Sequence, residues 1–367
     1  MENDTTSGMQ CRLTLSNSGC KVNEISAREL LNYYYQAGFI YEAKSARIEP
    51  YLPEILKNWD KAIGQGLEIA KVVTYSPQPQ YMASTMMWRY TDTTWVGQHL
   101  VSTGTRISHI PMLAIHGSMI EDQTMARIKH ICCWYNPDNK IPRLFFEGSV
   151  KFLGSNAASL TRWNYFGGMD SGHYYSSVFK VTEGNQSNYP VFKNFMDQVM
   201  DPIWYESQEF NIEDLEMNEL NSLYKKAGLE RTRKLLLAFK NKEELPAAVA
   251  ICYRGPIGLN LSFLENKVQV IFKDGHPEAD QLDLIKSMLS KAGPYYEDLG
   301  LNYIPVLIQQ EGVRVMEQGL HLPLLNRYNQ SVWSRSAFQD WYDFIKMTTD
   351  KYGATQPAVH TLSSQEV

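Results

Sequence analysis

The chain has 367 residues, more than the roughly 250–300 at which a single hydrophobic core stops growing, so its length predicts two domains. Hydrophobic residues make up 44% and aromatic residues 12%, enough for two cores, while charged residues make up 20% and the formal net charge is −5. This balance excludes the positive field of a non-specific nucleic-acid binder, and apolar runs such as Leu235-Leu236-Leu237-Ala238-Phe239 fall far short of the roughly 18 residues of a membrane span.

The segment Met1 to Gln10 is polar and acidic, with neither a basic region nor an apolar one, so no secretory leader is expected. The 5 cysteines form no C-x-x-C pair and fit neither a disulfide framework nor a structural zinc site. Reduced thiols in a cytoplasmic setting are the expectation, with Cys132-Cys133 buried in an apolar strand.

The first helix is announced by the Ser26/Glu29 capping box, an apolar face of Leu30, Leu31 and Tyr34, and Gly38 to stop it. A second is expected from about Pro53 to Ile63. Three strands follow as an antiparallel meander, Ile69 to Tyr75, Tyr81 to Tyr90 and Thr94 to Val101. Next come a helix from about Ile110 to Met125, a strand at Ile128 to Tyr135, a short helix at Pro142 to Phe152 and a strand at Leu160 to Phe166. The stretch Gly167 to Asn188, rich in Gly, Ser, Tyr and Asn, reads as a linker.

Beyond it, Tyr189 to Met200 and Ile212 to Ala227 read as helices. A second meander comprises Lys234 to Phe239, Ala247 to Tyr253 and Leu259 to Leu264, with Val268 to Phe272 extending it. A helix opened by Pro277 and closed by Gly293-Pro294 carries Leu282, Ile285 and Leu289 on one face. Then come a strand at Tyr303 to Ile308, a short helix at Gly312 to Gly319, a strand at Leu322 to Arg327 and a terminal helix from Ser336 to about Lys351. The two halves repeat one order of elements, which divides the chain into 1–180, 181–352 and a polar, disordered tail 353–367.

That order, helices, antiparallel meander, then strand–helix–strand–helix–strand, resembles the GNAT acyltransferase family, and its doubling resembles tandem-GNAT proteins. The resemblance covers most of the chain by topology. It implies an α/β (α+β) fold of two modules, each a mixed central sheet flanked by helices, and an acyl-CoA-dependent N-acyltransferase that uses acyl-CoA as co-substrate and a small-molecule or peptide amine as acceptor. In the family the fourth strand splays from the fifth, free backbone groups pair with the pantetheine arm, and the next helix offers its N-terminal amides to the pyrophosphate. The equivalent strand is Val96 to Val101 in the first module and Leu259 to Phe263 in the second.

The family's Q/R-x-x-G-x-G/A signature does not follow either strand, and Arg254-Gly255-Pro256-Ile257-Gly258 has another spacing. In the first module the small, polar, basic loop Ser102-Thr103-Gly104-Thr105-Arg106 stands at the right place, making that module the better candidate. The resemblance there implies acyl-CoA binding along Gln98, Leu100 and Val101 and on the amides of Ser102, Thr103, Gly104, Thr105 and Arg106. His99 ends the strand beside this loop as a candidate base for the amine. Tyr296-Glu297-Asp298-Leu299-Gly300-Leu301 resembles the family's Y-E-x-L-G-F helix, which makes Tyr296 a candidate acid for the departing thiolate, although the element order favours Val315 to Leu320 as the equivalent.

His109, His116 and His130 match no metal spacing, so no metal is expected, and no G-x-S-x-G elbow, P-loop or dinucleotide fingerprint is present. Two alternatives differ in class. Asn260-Leu261-Ser262, downstream of Arg231 and Arg233, resembles the PilZ family, whose paired arginines and D/N-x-S-x-x-G strand grip cyclic di-GMP, although Glu265 stands in place of the glycine. The missing phosphate signature also allows a catalytically degenerate scaffold serving protein–protein contacts.

Overall fold

The computed structural model describes residues 20–78, 81–103, 127–168, 174–241, 243–273, 278–309 and 313–353. The expected helix over 110–125 and the tail beyond 353 lie outside them.

A short strand β1 (Cys20–Val22) precedes helix α1 (Ala27–Gln36), which starts as its capping box predicts. Ser26 Oγ accepts from the Glu29 amide at 3.3 Å, and Glu29 Oε2 accepts from the Ser26 amide at 3.0 Å. Helix α2 (Glu42–Ile48) was not expected; its seven-residue E-A-K-S-A-R-I run is too short for an apolar period. Helix α3 (Leu52–Gly64) buries Ile55, Trp59 and Ala62 as one stripe. The meander β2 (Ala70–Gln78), β3 (Tyr81–Arg89) and β4 (Thr94–Ser102) forms as predicted, followed by β5 (His130–Tyr135), helix α4 over 140–153 and β6 (Ala158–Phe166).

Within the stretch read as a linker lies β7 (Phe179–Glu183), whose five residues between Ser- and Asn-rich flanks gave no alternating signal. Helices α5 (Tyr189–Val199), α6 (Pro202–Gln208) and α7 (Asn218–Lys226) come next, then β8 (Thr232–Lys240) and β9 (Ala248–Arg254). The chain continues through β10 (Val268–Phe272), α8 (Glu278–Ala292), β11 (Val306–Ile308), a π-helical turn (Val315–Gly319), β12 (Leu324–Ser334) and α9 (Phe338–Gly353).

The expected strand Leu259 to Leu264 does not form. Gly258 and Phe263 have φ of 93° and 57°, and Asn260 Oδ1 accepts from the Ser262 amide at 2.7 Å, closing an Asx turn. Leu259, Leu261, Phe263 and Leu264 are buried all the same. Their apolar run therefore reflects a turn wedged into the core; a run of this length cannot distinguish the two.

All the strands join one mixed sheet in the order β1-β2-β3-β4-β5-β12-β6-β11-β10-β9-β8-β7. Only β4/β5 and β10/β11 are parallel neighbours. The last strand of each half crosses to the other: β12 lies against β5, and β6 lies against β11, with β6 and β12 paired at the centre. On one face α1, α3 and α5–α7 build the largest core, around Trp59, Trp88, Trp163 and Trp204. On the other, α8 covers the strands of the second half, and α4 and α9 cover β5, β6 and β12. Among the described residues no helix is long and apolar enough to cross a membrane.

In residues 1–180 alone, both β5 and β6 would expose the edges that β12 fills. Expressed by itself, this fragment is expected to show no cooperative urea transition, whereas the full chain unfolds cooperatively; a cooperative, monomeric fragment would contradict the interleaved sheet.

Candidate functional site

Strand β4 starts as a regular neighbour of β5, pairing Thr94 with His130, Trp95 with Ile131 and Val96 with Cys132. From Gly97 onward that pairing stops. β5 keeps its other edge on β12 up to Tyr135, so β4 leans away with β3 and leaves a wedge-shaped opening in the sheet. A β-bulge falls at the same place: β3 residues Ser84 and Met86 face Val101 and Gln98, and between the latter His99 adopts φ 53°. The left-handed residue breaks the alternation, so Gln98 and His99 point to the same face. A non-glycine residue at positive φ costs of order 1–3 kcal/mol, and such strain concentrates at functional sites.

His99 packs edge-on against Tyr34 and Phe39, each 5.5 Å between ring centroids, with Trp59 and Trp88 at 6.0 Å. Neither ring nitrogen has a hydrogen-bond partner among the described residues. Burial first, and the charge of Lys44 second, lower its pKa to about 3, so the imidazole is neutral with a free lone pair.

A cavity of about 380 Å³ occupies the opening. Its polar wall is built from the α1–α2 loop and α2 (Lys44, Arg47), the 260–264 turn (Asn260, Ser262) and Tyr328. Its apolar wall, on the other sheet face, holds Met87, Ile131, Cys133, Phe146, Trp333 and Trp341. Gly97 stands between them; a Cβ there would already lie 3.4 Å from Cys133 Sγ. The turn is held in place by α3, whose Trp59 Nε1 donates to Gly258 O at 2.8 Å and Asn58 Nδ2 to Ile257 O at 3.0 Å. From the turn, Asn260 Nδ2 donates to Gln98 Oε1.

Of the residues singled out in the sequence, Gln98, His99 and Leu100 line this cavity. Val101, Ser102 and Thr103 are not among its lining residues: the Val101 carbonyl accepts from Tyr33 Oη at 3.0 Å, and Thr103 pairs through its backbone and hydroxyl with Met82. Gly104, Thr105 and Arg106 lie outside the described residues. Tyr296 is in the core beneath α8, where its hydroxyl donates to Lys267 O at 2.7 Å and burial raises its pKa well above the ordinary value. In the second half the position of the splayed strand is held by β10 instead of Leu259 to Phe263. There β10 stays paired with β11 along the whole of the latter.

The arginines of the cyclic di-GMP alternative cannot reach a ligand, since Arg231 and Arg233 are 0% and 1% exposed. Arg231 pairs with buried Glu265, donates to Tyr90 O at 2.7 Å and stacks over the Tyr90 ring. Arg233 donates to the carbonyls of Gln208, Glu209 and Leu215. Among the described residues no group of His, Cys, Asp or Glu is arranged to hold a metal; His130 is buried on β5, and His109 and His116 lie outside them. Lys44, Arg47, Tyr328 and Trp341 escaped the sequence reading because they reach the cavity from an uncalled helix and from the far C-terminal strand and helix. Nothing local marks them.

The exchanged final strands, the parallel pair in each half and the splay of β4 from β5 make one arrangement. It resembles a tandem GNAT arrangement. No known family profile and no curated protein matches the chain. Among solved structures it is similar to a tandem GNAT protein from the clavulanic acid biosynthesis pathway, with TM-score 0.39 and 9% identity over 86% of this chain and 98% of that one. It is also similar to a GNAT-family acetyltransferase from Colwellia psychrerythraea, with TM-score 0.35 and 10% identity over 86% and 99%. Saccharomyces cerevisiae N-myristoyltransferase with bound myristoyl-CoA gives TM-score 0.36 and 9% identity over 86% and 78%.

Two substitutions test this construction. Gly258→Ala would set a Cβ 2.4 Å from Ile55 Cγ1 at a φ of 93°, and is expected to lower stability by about 2–4 kcal/mol in urea titration. Glu265→Ala strands the Arg231 charge in the core and should cost about 3–5 kcal/mol, a loss that an arginine reserved for a soluble ligand would not show.

Proposed function

We propose that the protein is an acyl-CoA-dependent N-acyltransferase whose site is the opening between β4 and β5 in the first half of the chain. The supporting observation is that opening: β4 leaves β5 after Val96 with a bulge at His99, while β5 runs on to Tyr135 with its other edge on β12. A pantetheine arm would complete the ladder along Gly97, Gln98 and Leu100, using backbone groups that β5 has released. The thioester would then stand beside the bulge, where a strand N–H polarises its carbonyl.

Transfer requires a neutral amine to attack the thioester carbon, forming the C–N bond in a tetrahedral adduct from which the C–S bond then breaks. The amine proton must leave, and the departing thiolate must gain one. In this proposal His99 does both, taking the proton from the cationic nitrogen of the tetrahedral adduct and returning it to sulfur, once its ring, whose nitrogens are buried in the aromatic enclosure, turns toward the cavity. Among the described residues that line the cavity there is no carboxylate to share the task. Tyr296, bound to Lys267 O in the core, has no part in this reading.

Thermal unfolding with and without acetyl-CoA and a longer acyl-CoA is the direct test, since a ligand at 100 times its Kd adds about 2.7 kcal/mol. Stabilisation by an acyl-CoA and none by cyclic di-GMP is expected, with the acyl-CoA effect lost in Gly97→Leu, which fills the opening. No stabilisation by any acyl-CoA would defeat the proposal. In turnover, His99→Phe should keep acyl-CoA binding and lose about 10²-fold or more in kcat. Because His99 is already neutral above a pH of about 3, the rate should rise with pH only as the acceptor amine loses its proton, without an inflection at an ordinary histidine pKa.

A further inference from the structure

Among the described residues two cations line the cavity and no acid does. Lys44 and Arg47 lie one turn apart on α2, both half-buried, and the rest of the lining is aromatic, aliphatic, amide or hydroxyl. Neither forms an ion pair among the described residues, and Glu42 and Glu49 beside them point to solvent. Lys44 Nζ donates to Phe39 O at 3.0 Å and sits 3.8 Å from the Phe39 ring centroid, contacts that hold an ammonium without neutralising it. Burial, and then the charge of Arg47, lower Lys44 to about 8, so it is still mostly charged near neutrality.

Opposite them stand only neutral groups. Tyr328 donates to Ser262 Oγ at 2.8 Å, and Asn136 Nδ2 donates to Asn326 Oδ1 at 3.0 Å. Two like charges at one wall, without a counter-ion, repel a cationic ligand and are relieved by an anionic one.

We propose that the acceptor is an amine that also carries a carboxylate, of the amino-acid class, with Lys44 and Arg47 holding the carboxylate. This rests on the acyltransferase reading for its amine, though the anion site stands on its own geometry. The phosphates of CoA offer the same anionic chemistry. The placement favours the acceptor: Lys44 and Arg47 share the cavity wall with Tyr328 of β12, which lies beyond β5 from β4.

The test uses the whole protein, as wild type, Lys44→Gln, Arg47→Gln and the double variant, each with its unfolding midpoint recorded. A panel of N-acetyl amino acids and their primary amides is titrated calorimetrically, with acetyl-CoA titrated separately. The acid of the best-fitting pair should bind the wild type about ten-fold more tightly than its amide. That preference should fall to within about two-fold in the double variant, and acetyl-CoA binding should be unchanged throughout. Equal binding of acid and amide, or no binding of either, overturns the proposal. So does a loss of acetyl-CoA affinity in the variants with the acid preference intact, which assigns the cations to CoA phosphates. Acid binding needs no turnover, so a protein that selects the acid but neither binds acetyl-CoA nor acylates the free amino acids would sink the acyltransferase reading alone. One that acylates amines without regard to a carboxylate would sink only this inference.

Discussion

The opening in the sheet depends on β12. Strand β5 gives up its partner β4 after three residue pairs, and a buried strand with one free edge would leave backbone groups unsatisfied. β12 supplies the other edge over the full length of β5 and joins it to β6 on the far side. Chain from the end of the sequence therefore supports a cavity whose strands come from its beginning. The reciprocal placement of β6 against β11 makes the sheet one continuous structure instead of two adjoining ones.

Buried polar ties fix that exchange. Gln330 on β12 accepts from both Trp163 Nε1 and Trp204 Nε1, at 3.2 and 2.8 Å, and donates to Cys132 Sγ at 3.3 Å. These bonds join β12, β6, α6 and β5 at one amide, and an apolar residue there would leave two buried indole donors stranded. Arg231 and Glu265 play a comparable part between the halves, since Arg231 also bonds the Tyr90 carbonyl at the β3–β4 turn of the first meander. Such a pair contributes less to net stability than to specifying which segments meet, because desolvation offsets much of its attraction.

At the site, burial and strain act together. The bulge turns His99 into an aromatic enclosure that offers its ring no hydrogen bond, and Lys44 adds a positive charge nearby. A neutral imidazole, two uncompensated cations and a released strand edge are each unfavourable for an isolated domain, and in the proposed function each meets part of a ligand. The apolar wall of Phe146, Trp333 and Trp341 keeps one side of the cavity dry, which strengthens every electrostatic contact on the other.

The sequence by itself determined the local elements: the capping box at Ser26, the three-strand meander ending at Ser102, and the repeated order of strands and helices that resembles the GNAT pattern. Those follow from hydrogen bonding and apolar period within a few residues, which a linear text records. It also placed Gln98 and His99 on the strand that lines the cavity. It could not show that Leu259 to Leu264 is a turn, because a short apolar run is buried alike in a strand or under a helix. Nor could it show that Arg231 and Arg233 are internal, that the final strands cross between halves, or that Lys44 and Arg47 line the same cavity as His99. Those were decided by tertiary structure alone, since they depend on which distant segments exclude water from one another, and pairing across the sheet carries no signal in the spacing of either partner.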